Sequence, residues 1–195
     1  MTTNTPYGQL VGTCKLYVAP LSAGVAEAED AVNVTPSGNW VELGETDGDQ
    51  SVQRTGALTY FSDNDHTGNR KAVRPEEGMI ISATLVNLTL EQRAYVLSMA
   101  QSDITTAAGP PAIKSMPNKR GFIPTVYSLI LKGTVDSPYG ALPAQYYIPM
   151  GVFDGEPTEV RAKDGRPGLE FAFTALEDTA QSSGEEFGIM TAQTS

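Results

Sequence analysis

One cysteine, one histidine and one tryptophan are all that 195 residues contain of these three types. The lone Cys14 excludes an internal disulfide, and one Cys with one His falls short of the ligand set of a zinc site. Basic residues are scarce as well: 13 Lys and Arg stand against 23 Asp and Glu, for a net charge of -10. Affinity for phosphate backbones comes from cations that displace counterions, so this balance argues against stable DNA or RNA binding and against anionic membrane surfaces. No run of 18 apolar residues is present to span a bilayer. Residues 1–8 are polar and carry neither the basic nor the apolar region of a secretory signal, which leads to the expectation of folding in a reducing cytoplasm.

Catalytic signatures are missing in the same way. There is no Gly-x-Ser-x-Gly elbow and no phosphate-cradling glycine loop of the Walker or dinucleotide kind. His66 lies in Asp63-Asn64-Asp65-His66-Thr67-Gly68; a catalytic base there would need a nucleophile and an orienting partner, and with no such elbow accompanying it the expectation is a solvated loop histidine. That stretch begins like an EF-hand loop, yet its twelfth position is Arg74 where a bidentate glutamate is needed. Asp47 with Asp49, and Glu76 with Glu77, are neighbouring carboxylates, but glycoside chemistry also needs a cleft and a set separation between them. Cys14 on an apolar strand face reads as a packed core thiol. Asn33-Val34-Thr35 and Asn87-Leu88-Thr89 match glycosylation sequons, which carry no meaning without secretion. The expectation is a protein that is not an enzyme and uses no metal or cofactor.

What the chain does contain is 40 % apolar and 18 % charged residues, enough for one globular core, with 19 Gly and 13 Pro spread along its length. Many short segments punctuated by turns point to a mainly β architecture. Period-2 alternation marks strands at residues 10–19, 125–135, 144–153 and 168–176, with a more polar candidate at 156–163 and an Asp164-Gly165 turn. Residues 79–86 are apolar on both faces, as in a central strand. Thr89 followed by Gln92 is a capping-box pattern that opens one helix, expected to end near Gln101. Pro149 argues for a bend or an edge in its strand. Residues 45–77 read as a long polar connection with only 52–61 extended, and the Pro-rich, basic stretch 102–124 as an irregular loop.

Three stretches carry a likeness to a known family: Gly12-Thr-Cys-Lys-Leu-Tyr-Val-Ala-Pro20, Trp40-Val-Glu-Leu-Gly-Glu-Thr-Asp-Gly48, and the strand and helix start from Pro75 to Glu91. Over roughly residues 11–176 the chain resembles the major tail proteins of long-tailed bacteriophages, which form the tail tube. The insertion 102–124 is not part of that pattern. The resemblance implies a β-sandwich or open β-barrel flanked by one helix at 1–176, followed by a C-terminal tail or arm at 177–195. It also implies hexameric rings that stack into a tube, with strands 125–135 and 144–153 placing one face on the core and the other toward a bore. Six copies at -10 each make a ring of about -60, and such a wall repels DNA phosphates, so that DNA passes without stable binding.

Further implied partners are the tape-measure protein and other tail proteins, with no membrane; the place is the virion tail, assembled in the host cytoplasm. Ring stacking would bring Asp47, Asp49, Asp63 and Asp65 to Arg70, Lys71 and Arg74, or to Lys114, Lys119 and Arg120, of a neighbouring ring. Phe187 and Ile189 would be contacts of the arm. Each exposed ion pair is worth only about 0–1 kcal/mol, so many must act together. Two other readings remain open: a carbohydrate-binding or adhesin-like β-sandwich using exposed Tyr139, Tyr146 and Tyr147, and a single-ring tail terminator or head-tail joining protein.

Overall fold

The computed structural model describes residues 10–22, 24–62, 68–86, 89–121, 123–137, 140–161 and 166–193. In chain order the elements are β1 (Leu10–Pro20), β2 (Val41–Gly44), β3 (Thr46–Phe61), β4 (Lys71–Leu85), α1 (Leu90–Val96), β5 (Thr105–Ala107), β6 (Ile113–Ser115), β7 (Tyr127–Ser137), β8 (Gly140–Val160), β9 (Gly168–Ala175) and β10 (Ile189–Ala192). One antiparallel sheet runs β2-β1-β7-β8-β9-β4-β3, with β10 also paired to β8; β5 and β6 form a separate ribbon. The fold is mainly β, as the alternation predicts.

The ends of that sheet are β2 and β3, yet only Glu45 separates them in the chain. The sheet must therefore curl until its two edges meet, in the manner of a barrel. Side chains complete the seam where no ladder does: Gln50 donates from Nε2 to the Cys14 carbonyl at 3.0 Å, joining β3 to β1. The inward face is apolar, with Leu16, Val18, Leu43, Ile81, Leu129 and Ile148 fully buried. Tyr127, Phe153, Phe171 and Phe173 meet edge to face at 5.0–5.8 Å between ring centroids, the arrangement favoured by their quadrupoles.

Helix α1 closes one end of the core with Ala94 and Val96 buried. Its capping box forms as the sequence predicts: Thr89 accepts from the Gln92 N–H, and the Gln92 side chain accepts from the Thr89 N–H at 3.0 Å. It ends at Val96 instead of near Gln101, because Ser98 takes a left-handed conformation (φ 53°) and turns Ser98 and Met99 into the core. Gly44 lies against the same cap with φ +124°, and a Cβ there would come within 2.2 Å of Gln92 Nε2. Gly44→Ala is expected to damage both the backbone and the cap, lowering stability by about 1–3 kcal/mol. A urea midpoint indistinguishable from wild type would contradict this.

Other departures from the sequence reading have physical causes. The described parts of residues 45–77 are not a loose connection: β3 and β4 pair from Thr46↔Leu85 to Phe61↔Lys71, with register shifts at Asp47/Ser51 and Ala57/Thr59. The stretch 102–124 includes the β5–β6 ribbon. The candidate at 144–153 and the part of 156–163 up to Val160 fuse into β8, while Ala162, Lys163, Asp164 and Gly165 lie outside the described residues. Pro149 agrees with the sequence reading of a bend: it sits at a bulge where Tyr127↔Gly151 and Leu129↔Ile148 leave one extra residue on β8. There β8 changes neighbours, from β10 at residues 144–147 to β9 at residues 151–160.

The outer face of β1, β7 and β8 is also covered. Tyr17, Ala19, Trp40, Ile130 and Tyr147 form a second buried cluster, and residues 21–40 strap across it. Trp40 Nε1 donates to the Ala28 carbonyl (3.1 Å), Tyr147 Oη to Glu27 (2.7 Å) and Gln145 Nε2 to Asp30 (2.8 Å). Lys132 Nζ donates to the carbonyls of Ala31 and Val34, and burial pulls its ammonium below the ordinary value. Burial pushes the Tyr147 and Tyr127 phenols up to about 12. A phenol held neutral above its unfolded pKa stabilises the fold fully below about pH 10, and that share is lost as pH rises toward 12. Tyr147→Phe is expected to cost about 1 kcal/mol at pH 8 through the lost hydrogen bond, and to reduce the further loss between pH 10 and 12. Urea midpoints at pH 8 and 11 check both statements; an unchanged alkaline loss would contradict the second.

Candidate assembly surface

The β4–β9 ladder begins at Ile80, which pairs with Gln53, so β3 and β4 continue beyond the barrel as a two-stranded arm comprising residues 54–61 and 71–79. Side chains alternate along each strand, and residues paired across the ladder share a face. Tyr60, opposite Ala72, thus lies on one face of the arm, whereas Phe61, opposite Lys71, and Val73, opposite Thr59, lie on the other. None of these large side chains is covered: Leu58 is 46 % exposed, Tyr60 55 %, Phe61 53 % and Val73 39 %. A two-stranded ribbon on its own is marginal in water, and one that is apolar on both faces invites partners on both. Completing the burial of these four side chains is worth roughly 3–6 kcal/mol.

Charges brace the arm internally. Glu77 takes Arg74 at 3.0 Å and Arg54 at 3.2 Å, and these guanidiniums hold its carboxyl below the ordinary range. Glu77 is thus engaged by the two guanidiniums of the arm. Two of the other cations proposed for stacking are engaged within the chain: Lys114 with Glu91 at 2.5 Å, which fastens β6 to α1, and Lys119 with Asp103 at 2.6 Å, a pair within the stretch 102–124. Lys71 and Arg120 are exposed and carry no ion pair among the described residues. Arg70 donates its backbone N–H to the Phe61 carbonyl at 2.9 Å, closing the described part of the arm.

Of the acids, Asp47 caps its own turn by accepting from the Gly48 N–H at 3.0 Å. Asp49 lines an open depression of about 310 Å³ together with Asp154, Glu156 and Glu170. Asp63, Asp65 and His66 lie outside the described residues, as does Tyr139. The structure brings together Arg54, Arg74 and Glu77, of which only Arg74 stands in the sequence-derived set. Among the described residues no ion pair joins Asp47 or Asp49 to a cation of the same chain.

The remaining sequence-derived positions are used inside the fold. Phe187 packs against the main cluster and Ile189 against the second one, and β10 adds to β8 of its own chain. Gly188 permits this docking, since a Cβ there would come within 2.3 Å of the Tyr147 carbonyl oxygen. Tyr146 and Tyr147 point to opposite faces of β8, one packed on each cluster, so they do not form a shared aromatic patch. The strap likewise covers the face of β7 and β8 on which the resemblance places a bore. Burial raises the Cys14 thiol, which packs against the main cluster. Among the described residues no group of three or more His, Cys, Asp or Glu is arranged to hold a metal ion, and no helix is long and apolar enough to cross a membrane.

The residues missed from sequence are Leu58, Tyr60, Phe61 and Val73. Their signal is present in the β-branched and aromatic stretch 52–61, but its partner strand, Lys71 to Gly78, has no apolar period to announce it. In comparison with known proteins, no family model matches the chain and no curated protein matches it in sequence.

Proposed function

We propose that this chain is a structural protein that assembles with copies of itself, as stacked hexameric rings forming the tail tube of a long-tailed bacteriophage. The observation that carries this reading is the arm, whose uncovered apolar side chains on both faces lead away from a complete barrel core. A self-contained monomer gains nothing from such a ribbon, whereas an arm held between neighbouring subunits buries it. The net charge of -10 per copy fits an electronegative conduit through which DNA slides without being retained. Assembly in the host cytoplasm, incorporation in the virion tail, and contact with a tape-measure protein and other tail proteins follow from the same reading.

The in-chain engagement of Lys114, Lys119 and Arg74 changes how rings would stack. Apolar contact through the arm supplies the main driving force, and ion pairs tune it. Assembly is then strengthened by moderate salt, which screens repulsion between acidic copies over about 8 Å at 0.15 M. Negative-stain microscopy of purified protein at rising concentration tests the reading. Hollow filaments with a regular axial repeat are expected. Single rings that never stack would instead indicate a terminator or joining protein, and separate particles at every concentration would remove the proposal.

A further inference from the structure

Asp47 is followed by Gly48 in the sequence. A glycine after an aspartate leaves its backbone nitrogen unshielded by a Cβ, so that the nitrogen can approach the carboxyl group before it. The fold adds to this local chemistry. Asp47 pairs with Thr84, the next paired residue of β3 is Ser51 opposite Ser82, and residues 48–50 therefore bulge out against the single residue Ala83. Asp47 and Gly48 are both exposed, Gly48 has φ +73°, and a Cβ on it would meet nothing within 4 Å. The Gly48 nitrogen is 3.0 Å from Asp47 Oδ1, which sets it beside the carboxyl carbon Cγ. No packed neighbour opposes the short movement that would join them.

We propose that Asp47 with Gly48 is a site of spontaneous covalent modification, at which aspartate converts to isoaspartate in the folded protein. The carboxylate takes a proton from solvent and the Gly48 nitrogen bonds to Cγ. The N–H proton then leaves with the carboxyl hydroxyl as water, closing a five-membered succinimide. Water adds to one of the two ring carbonyls and breaks its bond to nitrogen. Opening at the carbonyl next to Cα leaves the main chain running through Cβ and Cγ, one methylene longer, with a free α-carboxylate; opening at the other restores aspartate. No electrons are exchanged. The lengthened backbone falls between two ties of the barrel seam: the Glu45 carbonyl accepts from the Val86 N–H at 3.0 Å, and Gln50 Nε2 donates to the Cys14 carbonyl at 3.0 Å. The change thus lands where the two edges of the sheet are joined. It concerns the protomer alone and does not rest on the self-assembly reading.

Incubation of the intact protein at neutral pH in water enriched in heavy oxygen, followed by peptide mapping, tests the proposal, because each passage through the succinimide adds one solvent oxygen. Label is expected to enter at Asp47 at least about tenfold faster than at Asp49 or Asp103, whose following residues carry side chains. The rate at Asp47 is expected to stay within about tenfold of its rate in the urea-unfolded chain, since the bulge already holds the reacting groups together. The same peptide should also accept methyl groups from S-adenosylmethionine when an isoaspartyl methyltransferase is added. Asp47→Glu keeps the charge but needs a six-membered ring, and it is expected to abolish both label and methyl acceptance in that peptide. Label at Asp47 no faster than at Asp49, a larger suppression by folding, or methyl acceptance that survives Asp47→Glu would overturn the assignment.

Discussion

Replacing Leu58, Tyr60 and Phe61 together by threonine is expected to leave a folded monomer that no longer assembles. Threonine keeps the strand propensity of the ribbon but removes most of its apolar surface. All three side chains are about half exposed in the protomer and contribute little to its core, so thermal stability should change by less than about 1 kcal/mol. The contact they would make on association is worth a few kcal/mol, which corresponds to a rise of about 100-fold or more in the concentration needed to assemble. Sedimentation velocity across that range, alongside a thermal melt, separates the two effects. Unchanged assembly by the triple variant would show that the arm is not the contact surface.

The second large effect lies in the core. Phe173 is fully buried on β9, stacks edge-on to Phe153 with 5.0 Å between centroids, and lies so close to Gly151 that a Cβ there would come within 2.4 Å of its ring. No neighbouring side chain can collapse into the space it fills without giving up its own contacts. Phe173→Ala is therefore expected to cost about 3–5 kcal/mol, a fall in Tm of roughly 6–20 °C for a chain of this size. Phe61→Ala, the same change at a half-exposed site, should cost less than about 1 kcal/mol. Equal losses at the two positions would contradict the division between barrel and arm.

That division also explains what could be read from the residues alone. β1, β9 and the start of α1 are legible because their side chains face a core, and burial imposes a period: Leu16 and Val18, or Leu169, Phe171 and Phe173, alternate because every second residue must be dry. The arm is not legible in this way. Residues 71–78 have no core to face, and they are strand only because β3 lies beside them. The strap over residues 21–40 is equally silent, since its carbonyls are taken by Lys132, Gln145 and Tyr147 from more than ninety positions away.

The candidate site follows the same pattern. The cations Lys114 and Lys119 are visible as a basic cluster, but their partners are set by the fold: Glu91 by how the insertion folds back on α1, and Asp103 by how the insertion folds on itself. Phe187 and Ile189 were visible as the apolar residues of a polar tail. That they cover their own barrel follows from β10 finding an unpaired length of β8 beside the bulge at Pro149. Sequence periodicity reports the core a residue faces and says little about contacts made outside it.

Mass per unit length of assembled particles, measured by dark-field scanning transmission electron microscopy, tests the central claim most directly. The account predicts filaments containing six chains in each axial repeat, with a stain-filled channel along the axis. Filaments with another number of chains per repeat, solid fibrils without a channel, or a solution of single chains at the highest attainable concentration would contradict it.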